Sequence, residues 1–195
     1  MKASWPWLMT LALLTTLATS RPRAESAVGL EAGYFVPSDK TFRSFYGNGW
    51  TGGLSGRLRT RQGFGLFFSA DYFQEQRSYR SETFQVAAYP VSVQLLYYLH
   101  ESPRLSPFLA VGMAGIVAQE RNLSTGKSTV LNTDPGLIGT AGVEFGPRRW
   151  TVRPYFRWSL LQEPTRENFS GLNLSGYAPM LGVNYCFGQP RKALP

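Results

Sequence analysis

The sequence predicts an all-β protein: an eight-stranded antiparallel up-and-down transmembrane β-barrel that follows an N-terminal signal peptide. Three observations indicate this fold. Large apolar residues alternate with small or polar ones along about eight segments, long and short polar connections alternate between the segments, and aromatic residues recur near the segment ends. Strands that face lipid on one side and a lumen on the other produce such a pattern.

The alternation is clearest in the segments 50–59 and 150–160. In the first segment Trp50 and Leu54 share one face, while Arg57 lies on the other. In the second segment the tryptophans occupy even positions and the arginines odd positions. Successive side chains of a strand point to opposite sides, whereas a helix would scatter both sets around its surface. Both segments are therefore predicted to be strands with one apolar face.

The composition excludes several other classes of protein. The 195 residues are 43% hydrophobic and 14% aromatic but only 16% charged, which argues against a disordered chain. The formal net charge of +8 comes from basic residues spread through the predicted strands and turns, so no nucleic-acid partner is expected. Cys186 is the only cysteine, so strand pairing and burial must hold the fold together without disulfides.

Both ends of the chain are predicted to lie outside the barrel. Residues 5–18 form a short apolar run after a basic start, and Ala18-Thr19-Ser20 resembles a small-residue cleavage site. The predicted division is a signal peptide over 1–24 with cleavage near 20–24, a barrel over 25–187 and a short C-terminal extension over 188–195. No later stretch reaches about eighteen uninterrupted apolar residues, so no spanning helix is expected.

Eight strands follow from the pattern and its turn signals. They cover residues 28–36, 50–59, 64–73, 84–99, 107–118, 136–145, 150–160 and 176–187. Short turns alternate with long polar loops, which cover residues 37–49, 74–83, 119–135 and 161–175. In transmembrane barrels the short turns face the periplasm and the long loops face outward, so both ends of the barrel are expected on the periplasmic side.

Three prolines conflict with regular strands. In the segment 84–99 the apolar residues shift from even to odd positions, and a bulge at Tyr89-Pro90 would restore a single apolar face. Pro154 and Pro179 each remove a hydrogen-bond donor inside a predicted strand. Bulges are therefore expected at all three places.

Three segments resemble one known family, the OmpA/OmpX-type outer-membrane β-barrel domain superfamily. They are Val28-Gly29-Leu30-Glu31-Ala32-Gly33-Tyr34, Pro107-Phe108-Leu109-Ala110-Val111-Gly112-Met113-Ala114-Gly115 and Gly182-Val183-Asn184-Tyr185-Cys186-Phe187. The resemblance covers nearly all of the mature chain and implies a fold and a place in the outer membrane of a Gram-negative bacterium, not an activity. It also implies outer-membrane lipid, lipopolysaccharide and the barrel assembly machinery as partners. That machinery usually reads a final aromatic residue, whereas here residues 188–195 follow Phe187.

Six charged residues lie on the face opposite the aromatics and are predicted to form a charge network in the lumen. They are Glu31, Arg57, Asp71, Glu144, Arg153 and Arg157. Eight strands leave an interior only wide enough for side chains, so charges buried there must pair. We expect a plug of salt bridges, and the alternative is a narrow ion path. The inward glycines are expected to make room for the arginines; they include Gly29, Gly33, Gly53 and Gly65.

Aromatic residues near the predicted strand ends are expected to form a girdle at the two membrane interfaces, where their rings prefer the headgroup level. The predicted girdle residues are Trp50, Tyr72, Tyr97, Trp150, Trp158, Tyr177 and Tyr185. Ordinary core packing predicts aromatic residues as well, so this pattern alone does not decide between lipid and a core.

The predicted function is a structural or surface-interaction role, exerted through the long outer loops on a ligand of unknown identity. No catalytic residue, metal site or cofactor is expected, since the single histidine, His100, falls in a predicted periplasmic turn. The main alternative is a secreted soluble lipocalin-like barrel, whose aromatics would line a ligand cavity while its arginines met water. A lipid-modifying enzyme and a small-solute pore are further alternatives.

Overall fold

The structure is a computed structural model that describes residues 25–60, 62–79, 82–100, 102, 105–132, 135–146, 149–161 and 175–187. Within these residues it has nine strands and one short helix. The strands are β1 (Glu25–Pro37), β2 (Gly49–Arg59), β3 (Phe64–Tyr79), β4 (Glu82–Tyr98), β5 (Ser106–Asn122), β6 (Ser128–Asn132), β7 (Gly136–Glu144), β8 (Trp150–Leu160) and β9 (Gly176–Phe187), and the helix is α1 (Lys40–Phe45). The predicted signal peptide, the predicted C-terminal extension and most of the last predicted loop lie outside the described residues.

The strands form one closed antiparallel sheet. Each strand from β1 to β5 pairs with the next, β5 pairs with β7, β7 with β8 and β8 with β9, and β9 pairs with β1 to close the ring. The strand β6 pairs only with the C-terminal part of β5, whereas β7 pairs with the rest of β5. Both therefore lie on the same side of β5, one beyond the other, and β6 adds no member to the ring. The ring therefore has eight strands in up-and-down order, and the predicted fold class is confirmed.

Each ring strand turns one face to the lumen and the other to the exterior. On β2, Arg57 is 2% exposed and Trp50 is 74% exposed. The outward positions at mid-height are apolar on every side of the ring; they include Leu30, Leu54, Val93, Val111 and Leu181. We call this surface the apolar belt. A belt of this extent is unfavourable in water and favourable against acyl chains, so the lipocalin-like alternative, with its faces inverted, is wrong.

No bulge accompanies the three prolines. The register of β4 with β5 runs unbroken through Pro90, and the register of β8 with β9 runs unbroken through Pro154 and Pro179. Each proline instead interrupts pairing with its other neighbour, where its missing N–H cannot donate. The three predicted bulges are therefore wrong, because a proline can lose one partner and keep its register with the other.

The even positions of β4 face the lumen along the whole strand. Val86 and Ala88 point inward near the start of the strand, and Ser92 and Gln94 point inward further along. The shift from even to odd apolar positions therefore reflects a change in the lumen, which is apolar at one end and polar at the other.

One end of the barrel carries strands that extend beyond the ring. Pairing of β3 with β4 continues to Tyr79 and Glu82, and pairing of β5 with β6 continues to Arg121 and Ser128. Strands therefore occupy most of two predicted loops. We call this the outer end, because transmembrane barrels carry their long connections on the outer side, and we call the opposite end the periplasmic end.

The first predicted loop, residues 37–49, contains α1. The side chain of Asp39 caps this helix by accepting a hydrogen bond from the backbone N–H of Phe42 at 2.7 Å. No helix among the described residues is long and apolar enough to cross a membrane.

Candidate functional site in the barrel lumen

The lumen contains two charged clusters and an outer apolar region along the barrel axis. Further buried apolar side chains pack around the charged clusters, namely Phe67, Leu96, Phe108, Ala110, Ala178 and Met180. The periplasmic cluster consists of Glu25, Arg57, Arg59, Tyr98 and Glu144. The central cluster consists of Glu31, Asp71, Arg153, Tyr155 and Arg157. The outer apolar region consists of Phe42, Tyr46, Phe73, Val86, Ala88, Ala114, Ile116, Ala118, Ile138 and Leu161.

Arg57 is the centre of the periplasmic cluster. It forms ion pairs with Glu144 and, at 2.7 Å, with Glu25. Its Nη1 donates to the Tyr98 hydroxyl at 2.6 Å, and that hydroxyl donates to Glu144 Oε2 at 2.8 Å. The guanidinium of Arg59 lies 4.0 Å from the centroid of the Tyr98 ring, a cation–π contact. Two arginines and two glutamates therefore balance in charge.

Arg157 is the centre of the central cluster. Its Nη1 donates to Asp71 Oδ2 and its Nη2 donates to Glu31 Oε1, each at 2.6 Å. The Nη2 atom also donates to the Tyr155 hydroxyl at 3.0 Å. Hydrogen bonds of this length between charged groups are among the strong ones in proteins.

Arg153 completes the central cluster. Its Nη2 donates to Ser55 Oγ at 3.2 Å and lies 3.8 Å from Glu31 Oε2. Its guanidinium lies 4.3 Å from the centroid of the Phe67 ring. An aromatic face can partly replace the water that a buried arginine loses. With Glu31 and Asp71 facing Arg153 and Arg157, this cluster also balances in charge.

Both clusters contain an ion pair between strands on opposite sides of the ring. Arg57 lies on β2 and Glu144 on β7, which are four strands apart in either direction around the closed sheet. Arg157 lies on β8 and Asp71 on β3, which are also four strands apart. The two pairs therefore reach across the lumen at two heights.

The structure places all six sequence-predicted charged residues inside the barrel, but in two clusters. The sequence analysis missed Glu25, because it lies before the predicted start of the first strand, although it has the same parity as Glu31. It also missed the hydroxyls of Tyr98 and Tyr155, whose inward position follows from the parity of their strands.

The predicted role of the glycines is wrong for the four named positions. The atoms nearest to a Cβ at each of them belong to the neighbouring strand and to no arginine side chain: at Gly29 they include those of Asn184, and at Gly53 those of Asp71. These glycines let adjacent strands approach closely. A Cβ at Gly182, in contrast, would lie 3.7 Å from Arg153 Nε.

The outer apolar region lies under α1. The Phe42 ring lies 6.4 Å from the Phe73 ring and 5.1 Å from the Tyr46 ring. The Tyr46 hydroxyl donates to Glu120 Oε1 at 2.5 Å. Burial, and then the Glu120 carboxylate that accepts this bond, raise the pKa of Tyr46 above its ordinary value. The helix is thus fixed over the lumen by two buried rings and one hydrogen bond.

The seven predicted girdle residues lie on the exterior in two bands. Four are near the outer end, namely Trp50, Tyr72, Trp158 and Tyr177, and three are near the periplasmic end, namely Tyr97, Trp150 and Tyr185. Several pack against an aromatic neighbour, as Trp150 does against Tyr185 at a centroid distance of 5.1 Å. Their position at the headgroup level stays a prediction.

Other site types have little support among the described residues. No group of three or more histidine, cysteine, aspartate or glutamate side chains in this part of the chain could hold a metal ion. His100 follows β4 at the periplasmic end and is exposed.

Solved structures of small outer-membrane barrels are similar to this chain. The outer membrane protein OprG from Pseudomonas aeruginosa is 13% identical with a TM-score of 0.65, covering 86% of this chain and 98% of that chain. The N-terminal β-barrel domain of OprF from Pseudomonas aeruginosa is 14% identical with a TM-score of 0.54, covering 85% and 98%. Ail, the attachment invasion locus protein of Yersinia pestis, in complex with the heparin analogue sucrose octasulfate, is 15% identical with a TM-score of 0.51, covering 84% and 97%. No protein-family model matches the chain, and no curated protein matches it in sequence.

These likenesses confirm the fold that the resemblance to OmpA/OmpX-type barrels implied. The apolar belt adds evidence of a different kind, because it is the surface that a barrel needs in order to face acyl chains. Closed antiparallel barrels with such a belt are outer-membrane proteins. Fold and belt together therefore confirm the prediction of an integral outer-membrane barrel.

Proposed function

We propose that this chain is a non-conducting barrel of a Gram-negative outer membrane that acts through its outer end on a partner at the cell surface. The observation that carries this proposal is the pair of ion pairs that reach across the lumen, Arg57 to Glu144 and Arg157 to Asp71. They place paired charges at two heights of an interior that is only wide enough for side chains. No catalytic role is part of the proposal.

The charge balance of the clusters supports a plug over an ion path. An ion path needs charged groups that face water and exchange partners with the passing ion. Here Arg57, Arg153 and Glu144 are 0–2% exposed, and each has protein partners. Separating such a pair would leave buried charges unpaired, which is strongly unfavourable.

The shape of the outer end supports a surface role. The β3–β4 and β5–β6 hairpins project beyond the ring, and α1 covers the lumen beside them. A similar barrel, Ail, has been solved with a sulfated ligand, which is a precedent for ligand binding by barrels of this size. The apolar belt makes lipid and lipopolysaccharide its neighbours in the membrane, and we include the barrel assembly machinery as the partner that inserts it.

Single-channel recording in planar lipid bilayers tests the plug. The wild-type barrel is expected to give no stable current steps. The Asp71→Ser/Arg157→Ser double variant removes one pair without leaving a lone charge at either of those positions, and it is expected to raise the conductance. Val111→Ala, a change on the apolar belt, is the matched control and should behave as wild type. Steady conductance of the wild type, unchanged in the double variant, would contradict the plug and favour a pore.

Cysteine labelling in intact cells tests the surface role. Thr125→Cys lies at the tip of the β5–β6 connection, and Thr60→Cys lies in the short β2–β3 turn at the other end. A membrane-impermeant maleimide is expected to label the first variant and not the second, whereas the native Cys186 is buried. Labelling of Thr60→Cys alone would show that the barrel has the opposite orientation, and the proposed surface role would fail.

A further inference from the structure

The two hairpins that project beyond the ring form one continuous sheet at the outer end, because β4 pairs with both β3 and β5, and β5 pairs with β6. Paired residues share a face, so the exterior of this sheet continues the exterior that carries Tyr72, Tyr89 and Val117. Ten residues lie beyond them on this side, and we call their surface the glutamine face. They are Gln74, Gln76, Ser78, Thr83, Gln85, Ala87, Gln119, Arg121, Ser128 and Val130.

The glutamine face is almost free of charge. Among its ten residues four are glutamines and only Arg121 is charged. The opposite face of the same two hairpins carries four charged residues, namely Glu75, Arg77, Glu82 and Glu120. Surfaces that meet only water usually carry many charges of both signs. The uncharged amides therefore need an explanation other than solubility.

The glutamines are in register across the strands. Gln74 lies beside Ala87, which lies beside Gln119, and Gln76 lies beside Gln85 two residues further out. Each amide offers donors and an acceptor together, as a hydroxyl does, whereas a carboxylate only accepts and an ammonium only donates. The two rows therefore match a partner that is rich in hydroxyls and carries little charge.

A pair of tyrosines forms the base of the glutamine face. The rings of Tyr72 and Tyr89 are exposed and lie 5.2 Å apart. At about 3.4 Å per residue and a strand tilt near 40°, the two glutamine rows stand about 5 and 10 Å above this pair. The polar layer of a phospholipid bilayer is only about 5–8 Å deep on each side. A neighbouring lipid that covers both rows therefore needs a headgroup longer than that of a phospholipid.

We propose that the glutamine face binds the sugar rings of a glycolipid in the outer leaflet of the same membrane. The face looks sideways along the membrane, since it continues the exterior of the strands, so its neighbours are lipid headgroups. Gln76 and Gln85 would hydrogen-bond sugar hydroxyls, while the rings of Tyr72 and Tyr89 would contact the apolar side of the sugar nearest the bilayer. This inference rests on the proposed function, because it names one surface partner by its chemistry.

Titration of the full barrel in zwitterionic detergent micelles tests the proposal, with glutamine side-chain NMR as the readout. The probes are rough lipopolysaccharide, whose headgroup carries core sugars, and lipid A, which lacks them. We expect the wild type to bind the first at least about threefold more tightly, because the core sugars reach the outer glutamine row. This preference should persist in about 0.5 M sodium chloride, since it does not depend on charge.

Two variants locate the preference on the face. Gln76→Ala/Gln85→Ala removes the outer row and is expected to abolish the preference, while lipid A binds as before. Gln62→Ala truncates an exposed glutamine of the β2–β3 turn at the periplasmic end, and this matched control should bind as wild type. Heat-modifiable migration on gels checks that both variants fold.

Each outcome bears on the proposal. Equal affinity of the wild type for the two probes, or a preference that the double variant retains, overturns it. Loss of the preference in high salt would assign it to phosphates near Arg121 and overturns it as well. A second barrel on the face, detected as a doubled particle mass that the double variant reverses, would also overturn it. The micelle result does not depend on which end faces outward, whereas cysteine labelling does, so failure here and failure of the proposed function are distinguishable.

Discussion

The periplasmic and outer halves of the lumen are built from the same strands, yet the charged clusters lie toward the periplasmic end, while the outer half is lined mainly by apolar side chains. Along β4, Tyr98 and Gln94 enter the polar half, while Ala88 and Val86 enter the apolar half. The exterior of the same strand is apolar at both heights. Lipid requires apolar side chains along the whole exterior of a barrel strand. The interior, in contrast, can be filled either by paired charges or by packed apolar side chains.

The two halves also differ in how their side chains are held. In the polar half, charges satisfy one another across the lumen through specific geometry, as in the contact of Arg157 with Asp71. In the outer half, apolar side chains pack without directional bonds and leave a cavity. Removal of one group should therefore be costly in the first half and tolerated in the second.

The largest effect is expected from Arg57→Met. This change removes the guanidinium that pairs with Glu144, which is fully buried, and breaking a buried pair in this way costs about 3–5 kcal/mol. The free energy of unfolding, measured by urea titration of the barrel in phospholipid vesicles, should fall by this amount. The Arg57→Met/Glu144→Gln variant is expected to lose less, because no charge remains at position 144. A loss below about 1 kcal/mol for the single variant would mean that water reaches the cluster.

A smaller effect should separate two alanines of β5 that face the lumen four residues apart. Ala110 belongs to the buried apolar cluster around the charges and lies opposite Leu96, whereas Ala114 lines the cavity. Ala110→Leu is expected to cost about 1–3 kcal/mol through overpacking, and Ala114→Leu should cost less than about 1 kcal/mol. Urea titration of the two variants side by side measures the difference. Equal costs would show that the outer half is as tightly filled as the other.

Much of the fold could be predicted from the sequence, because successive side chains of a strand point to opposite faces whatever those faces contact. Trp50 and Arg57 separate cleanly by parity, which places them on opposite faces of the strand. The apolar belt of the closed ring then decides which face meets lipid. The bulge at Tyr89-Pro90 was predicted wrongly because apolar Val86 and Ala88 were assumed to face lipid, whereas they face the lumen. An inward apolar residue and an outward one look identical in sequence, so the apolar half of the lumen could not be found by parity.

The charged side chains of the lumen could be identified from the sequence, but their partners could not. Parity places Arg157, Asp71 and Glu31 inside, yet which of them meet depends on the stagger of strands around a closed ring. The helix α1 was missed because six residues carry too little periodicity to distinguish a helix from a loop. The outer half of the lumen also holds a small cavity whose walls come from strands all around the ring, so no sequence pattern pointed to it.

The smallest effect concerns α1 on the outer apolar region, where the Tyr46 hydroxyl donates to Glu120. The pKa of Tyr46 is raised above its ordinary value of 10.0, first by burial and then by Glu120. A raised pKa means that the folded state favours the neutral phenol, so this contribution to stability is complete below about pH 10 and is lost as the pH rises further.

Tyrosinate absorbance during an alkaline titration measures this shift. The difference between wild type and Tyr46→Phe isolates the titration of one tyrosine, and its midpoint should lie above that of the exposed tyrosines. Glu120→Gln should lower the midpoint, because the carboxylate that opposes ionisation is gone, while burial should keep it above the ordinary value. A difference curve with an ordinary midpoint would place Tyr46 in water and show that α1 does not pack on the outer apolar region. The outer half would then be open to water. It would differ from the charged half only in the apolar side chains that line it.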